Sequence, residues 1–77
     1  MIKMEKAQDM QNLFIELNTF LRIMGAATTG GRAKLIIRAG EVKVNAIVET
    51  RNKRKLHSGD IVDYAGKKYE VDKKYVR

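Results

Sequence analysis

The sequence predicts an α+β domain, with two short helices packed on one face of a small, mostly antiparallel sheet. Three observations carry that expectation. The chain has 77 residues, enough for one small hydrophobic core and no second. Up to Gly40 the apolar residues recur at helical intervals, and beyond Gly40 they alternate. Turn-forming residues then divide the second half into short strands, which is the pattern of helices followed by sheet.

Residues 1–12 are polar apart from scattered Met and Ile and are expected to form an N-terminal arm. Two readings fit the next segment. Met10, Leu13, Phe14, Leu17, Leu21 and Met24 fall at i, i+3, i+4, i+7 spacing and would make one continuous helix. Alternatively Phe14–Leu17 is a short strand, Asn18 is an N-cap, and a short helix covers Thr19–Met24. Gly25 ends the helix in either case. Thr29 is the expected N-cap of a second helix from Gly30 to Ala39. Its apolar face would be Ala33, Ile36 and Ile37, with Lys34 and Arg38 on a neighbouring exposed face and Gly40 as the stop. Val42-Lys43-Val44 and Ile47-Val48-Glu49 read as a hairpin turning at Asn45-Ala46. Arg51 to Lys55 reads as a polar loop, and His57-Ser58-Gly59-Asp60 as a turn. The strands Ile61–Tyr64 and Lys68–Val71 follow, joined at Ala65-Gly66.

Charge is distributed unevenly along these elements. The whole net charge is +7, and the block 22–55 accounts for it. Its cations are Arg22, Arg32, Lys34, Arg38, Lys43, Arg51, Lys53, Arg54 and Lys55, opposed only by Glu41 and Glu49. A concentrated positive field selects a polyanion partner, of which nucleic acid is the commonest. Within the block, TTGGRAK would open the second helix. Outward N–H groups, the positive end of the helix dipole and the absence of side chains at Gly30 and Gly31 suit that entrance to phosphate, and Arg32 and Lys34 add mobile charge. The structural alternative is that Thr29 only caps and the glycines only turn. The run Arg51-Asn52-Lys53-Arg54-Lys55 is either a second phosphate-binding element or a solvated charged loop. Asn45 could meet a ribose or base edge, or simply supply a left-handed turn residue.

Several chemistries are excluded or unsupported. With no cysteine, disulfides and thiolate metal sites are excluded. Gly25 to Gly30 has the outer spacing of a Walker-A loop, but Gly31 and Arg32 stand where Lys and Ser/Thr are needed. His57 is the only histidine, and no paired carboxylates or nucleophile motif accompany it, so neither a catalytic residue nor a cofactor is expected. Phe14, Phe20, Tyr64, Tyr69 and Tyr75 are not interleaved with the basic block, which argues against a base-stacking platform. That favours reading of backbone and shape, as on folded RNA. MIKMEKAQDM lacks an apolar leader core, and no stretch approaches the ~20 apolar residues of a membrane span. The expectation is therefore a cytoplasmic protein, monomeric and without a membrane partner.

The run LNTFLRIMGAATTGGRAKLIIRAGEVKVN, followed by ETRNKRKLHSGDIVDYAG, resembles the S-four-type RNA-binding domain, also called the alpha-L motif. It is most similar to small stand-alone bacterial members associated with ribosomes or ribosomal RNA. Their pattern SGG-x-AK, V-x-VN, R-x-x-RKL-x-x-GD appears here as TGGRAK, VKVN, RNKRKL and HSGD. The resemblance implies a single domain at residues 13–72 with a basic tail at 73–77, and it favours the strand-then-helix reading with Asn18 at the cap. It implies RNA contacts from Thr29, Lys34, Arg38, Lys43, Asn45, Arg51, Arg54 and Lys55, to which the residue chemistry adds Gly31, Arg32 and Lys53. Two departures stand out: Gly30 replaces a usual basic residue, and Asn45-Ala46 replaces the usual Asn-Gly turn, at a cost in turn stability. The implied function is non-catalytic binding of structured RNA, above all ribosomal RNA or an assembly intermediate, with ribosomal subunit proteins as further partners. A protein-interaction adaptor in an RNA-processing complex and a nonspecific duplex DNA binder are the alternatives.

Overall fold

The computed structural model describes residues 13–77. The arm expected at 1–12, and Met10 as the start of a continuous helix, lie outside the described residues. From Leu13 onward the chain follows the strand-then-helix reading. Strand β1 (Ile15–Glu16) leads directly into helix α1 (Leu17–Ile23). Strand β4 (Lys55–Leu56) holds β1 antiparallel, with Ile15 opposite Leu56.

Asn18 is not the cap of α1. The N-cap is Glu16, whose side chain makes no capping bond. The reason is a backbone arrangement. The Leu17 N–H donates to the Arg54 carbonyl at 2.8 Å and the Asn18 N–H to the Asn52 carbonyl at 3.1 Å. Two N–H groups that a side chain would otherwise serve are thus satisfied by the basic loop. The Asn18 side chain, inside the first turn and buried, is free for another task.

Helix α2 (Gly30–Arg38) forms as its sequence demands. Thr29 caps it, accepting the Arg32 N–H at 3.1 Å on Oγ1. Ala33, Ile36 and Ile37 are buried, and Lys34 and Arg38 are exposed. Both helices end in the same way. Gly25 (φ 77°) and Gly40 (φ 79°) take the left-handed conformation, and the following N–H of Ala26 or Glu41 returns to Leu21 or Ile36.

The strands of the described residues form two antiparallel sheets. One is the β1–β4 pair. The other has the order β3-β2-β5-β6, from β2 (Val42–Val44), β3 (Ile47–Val48), β5 (Ile61–Tyr64) and β6 (Lys67–Glu70). Along β2 the alternation buries Val42 and Val44 and exposes Lys43. The β2–β3 turn has positive φ at both central residues, 51° at Asn45 and 70° at Ala46, as a two-residue hairpin loop requires. Ala46 therefore carries the backbone cost that a glycine would remove.

Among the described residues one core joins the layers. Leu17, Phe20 and Leu21 of α1 and Ala33, Ile36 and Ile37 of α2 pack with Val42, Val44, Leu56, Val62 and Val71. The chain closes beside it with a 3₁₀ turn at Lys73–Tyr75, where Tyr75 meets Phe20 edge-on with ring centroids 6.0 Å apart. Phe14 and Arg77 then exchange backbone hydrogen bonds of 3.2 and 3.0 Å.

Candidate nucleic-acid interface

The residues around the α2 entrance and the basic loop are tied by one side chain. Asn18 Nδ2 donates to the Gly30 carbonyl at 3.1 Å and to Asn52 Oδ1 at 2.8 Å. The first amide-bearing turn of α2 and the loop 51–54 thus share a hydrogen-bonding centre, although 34 residues separate Asn18 from Asn52. Capping of Arg32 by Thr29 leaves the N–H groups of Gly30 and Gly31 without an intrahelical partner.

Arg51, Lys53, Arg54 and Lys55 line one concavity of about 570 Å³. Its form depends on Glu49, which is 6% exposed. Glu49 Oε2 accepts from the Arg51 N–H at 3.0 Å and from Arg51 Nε at 2.9 Å. Oε1 accepts from Arg51 Nη2 at 3.0 Å and Arg54 Nη1 at 2.6 Å. The Arg51 side chain, helped by Arg54 and the Arg51 amide, lowers the Glu49 pKa from 4.5 to about 2 against the opposing effect of burial. The same carboxylate raises the Arg51 pKa. Lys55 extends toward the start of the domain, its ammonium 4.9 Å from the Phe14 ring centroid. No ion pair to Lys53 is found among the described residues.

Arg22 joins this set, and it was not among the expected contact residues. It is exposed, and no carboxylate lies within 4.0 Å of it among the described residues. A Cβ built at Gly30 would sit 3.9 Å from its guanidinium carbon and 3.7 Å from Asn18 Oδ1. The guanidinium therefore flanks the space beside Gly30, where a side chain would otherwise stand. The visible signal was its place as the first cation of the basic block.

The first hairpin occupies different surroundings. Lys43 lines a separate concavity of about 330 Å³ with Glu41 and Asp63, and Asp63 is itself paired with Lys68 at 2.8 Å. The Asn45 side chain is engaged within the fold. Its Nδ2 donates to Asp60 at 3.1 Å, and its Oδ1 accepts the Ile61 N–H at 2.9 Å. Lys34, Arg38 and Arg32 are exposed on α2. His57 is a turn residue, its N–H donating to Asp60 Oδ2 at 2.8 Å. Among the described residues no group of three His, Cys, Asp or Glu is placed to hold a metal ion, and no helix is long and apolar enough to cross a membrane.

Similarity to known proteins covers the same span. The S4 domain family matches residues 9–72. A protein of Escherichia coli (strain K12) named "Putative RNA-binding protein YbcJ" is 39% identical over 57 residues, which cover 74% of this chain and 81% of that protein. A Shigella flexneri relative, "Uncharacterized protein YbcJ", matches with the same identity and coverage.

Proposed function

The chain belongs to the S4 domain family, and from that premise we propose that it is a non-catalytic RNA-binding module for structured RNA. Ribosomal RNA, or a ribosome assembly intermediate, is the target we propose, met by a cytoplasmic monomer without a cofactor. The observation that carries the reading is the junction at Asn18. It ties the entrance of α2 to the loop whose four cations line one concavity, which supports reading the two elements as one phosphate-binding surface. Arg22, at the seam, adds a further cation to that surface. The name of the Escherichia coli relative supports RNA as the polyanion.

The test is fluorescence anisotropy on a structured ribosomal RNA fragment across a salt series, with duplex DNA of equal length as competitor. On the single-strand coefficient, neutralising about six phosphates gives a log–log salt slope near −4, so doubling the salt weakens binding about twentyfold. Lys34→Glu with Lys53→Glu should abolish binding, because both lysines are exposed and neither is paired among the described residues. Arg54 is unsuited to such a reversal, since a glutamate there would face the Glu49 carboxylate. Unchanged affinity in the folded double variant would remove the proposed surface. Equal competition by DNA would reduce the function to general polyanion binding.

A further inference from the structure

We propose that Glu49 is a positioning residue for RNA binding, a buried negative charge whose presence in a cationic surface strengthens its hold on a polyanion. The inference rests on the RNA-binding reading above. Simple electrostatics gives the opposite sign, because a carboxylate beside a phosphate backbone repels it and its removal makes the surface more positive by one charge. The geometry reverses that expectation.

Glu49 lies beneath the cations rather than among them. Its side chain is 8% exposed, against 71% for Arg51 and 32% for Arg54. All four of its hydrogen bonds come from these two residues. A guanidinium has five N–H donors in a fixed plane. Arg51 gives Glu49 one from Nε and one from Nη2, and Arg54 gives it one from Nη1. The two-bond fork fixes the Arg51 plane, Arg54 is held by its Glu49 bond together with one from Nε to the Lys55 carbonyl at 3.4 Å, and the donors not so used stay available along the concavity that Lys53 and Lys55 complete. Two long side chains, whose rotamer freedom would otherwise be lost on meeting RNA, are therefore ordered beforehand. Glu49 also fixes the backbone, since Oε2 holds the Arg51 N–H where the loop leaves the sheet. The Glu49 N–H itself donates to the Val42 carbonyl at 2.9 Å, so the carboxylate is anchored to β2.

Glu49→Gln separates the two signs. The amide keeps the shape, removes the charge and turns one acceptor into a donor facing arginine N–H groups. Affinity for a labelled ribosomal RNA stem-loop is measured at one salt concentration, at a temperature where circular dichroism shows wild type and variant fully folded. The expected result is binding about tenfold weaker despite the lost negative charge. Equal or tighter binding by the folded variant would overturn the inference. If the variant does not fold, the RNA-free wild-type protein decides. A slowly exchanging Arg51 Nε–H resonance supports prior ordering, and exchange as fast as in free arginine refutes it. Wild-type protein that fails to bind the stem-loop removes the RNA reading and this inference together. Where Lys34→Glu with Lys53→Glu abolishes binding and Glu49→Gln leaves it unchanged, the inference falls alone.

Discussion

Ala46 is the residue whose conformation costs the fold most visibly. Its φ of 70° is in the left-handed region, where a Cβ crowds the following carbonyl by about 1–2 kcal/mol. Ala46→Gly relieves that crowding, and the greater freedom of glycine in the unfolded chain offsets part of the gain. The expected outcome is a stabilisation of about 0.5–1 kcal/mol, read as a rise of a few degrees in Tm. A fall in Tm would show that the turn does not have this shape in solution. Glu49 gives a second residue-scale prediction, in acid. Its folded pKa, about 2, is below the ordinary 4.5. The folded state therefore binds fewer protons, and the contribution is complete above pH 4.5 and is lost as pH falls toward 2. Thermal melts between pH 6 and 2 should show that decline. In a folded Glu49→Gln variant, lower in stability at neutral pH, the decline should be shallower. Identical slopes would contradict the pairing of Glu49 with the two arginines.

At the scale of elements, α1, the entrance of α2 and the basic loop behave as one unit because Asn18 and Asn52 join them. Asn18→Ala removes two hydrogen bonds and leaves the Gly30 carbonyl and Asn52 without their shared donor, at a cost of about 1–3 kcal/mol. Hydrogen exchange should speed at the Leu17 and Asn18 amides, which the loop carbonyls cover. Protection unchanged from wild type would mean that the side chain does not hold the loop. This junction also marks the limit of what the sequence discloses. Helix α2 was legible throughout, because Thr29, the Ala33-Ile36-Ile37 face and Gly40 act within a few residues of one another. Asn18 was misread as a cap, because the carbonyls that serve the start of α1 come from Arg54 and Asn52. Local capping rules cannot see a donor–acceptor pair more than 30 residues apart. The loop cations were legible as a run, but Glu49 looked like a single opposing charge. It is buried, with its N–H bonded to the Val42 carbonyl, and no count of charges contains that placement.

For the whole molecule, the charge total understates the organisation. Six of the expected contact cations, Arg32, Lys34, Arg38, Lys43, Lys53 and Lys55, are exposed with no ion pair among the described residues, whereas Arg51 and Arg54 are held by a carboxylate. Salt should screen the first group more strongly than the geometry of the second. One further consequence follows from the backbone bonds between Phe14 and Arg77. They bring the two ends of the described fold to adjacent positions on one edge. A domain built this way can be inserted into the loop of a host protein without stretching the host, since its entry and exit points nearly coincide. By the same geometry, the order of its elements along the chain is not essential. A permutant that links residue 77 to residue 13 by a short glycine-serine spacer and opens at Ala65-Gly66, an exposed turn, should keep the circular dichroism spectrum of the parent. Loss of that spectrum would show that folding needs the β5–β6 hairpin unbroken. Its retention would make the fold a transferable cassette that delivers its cationic surface from any permissive loop.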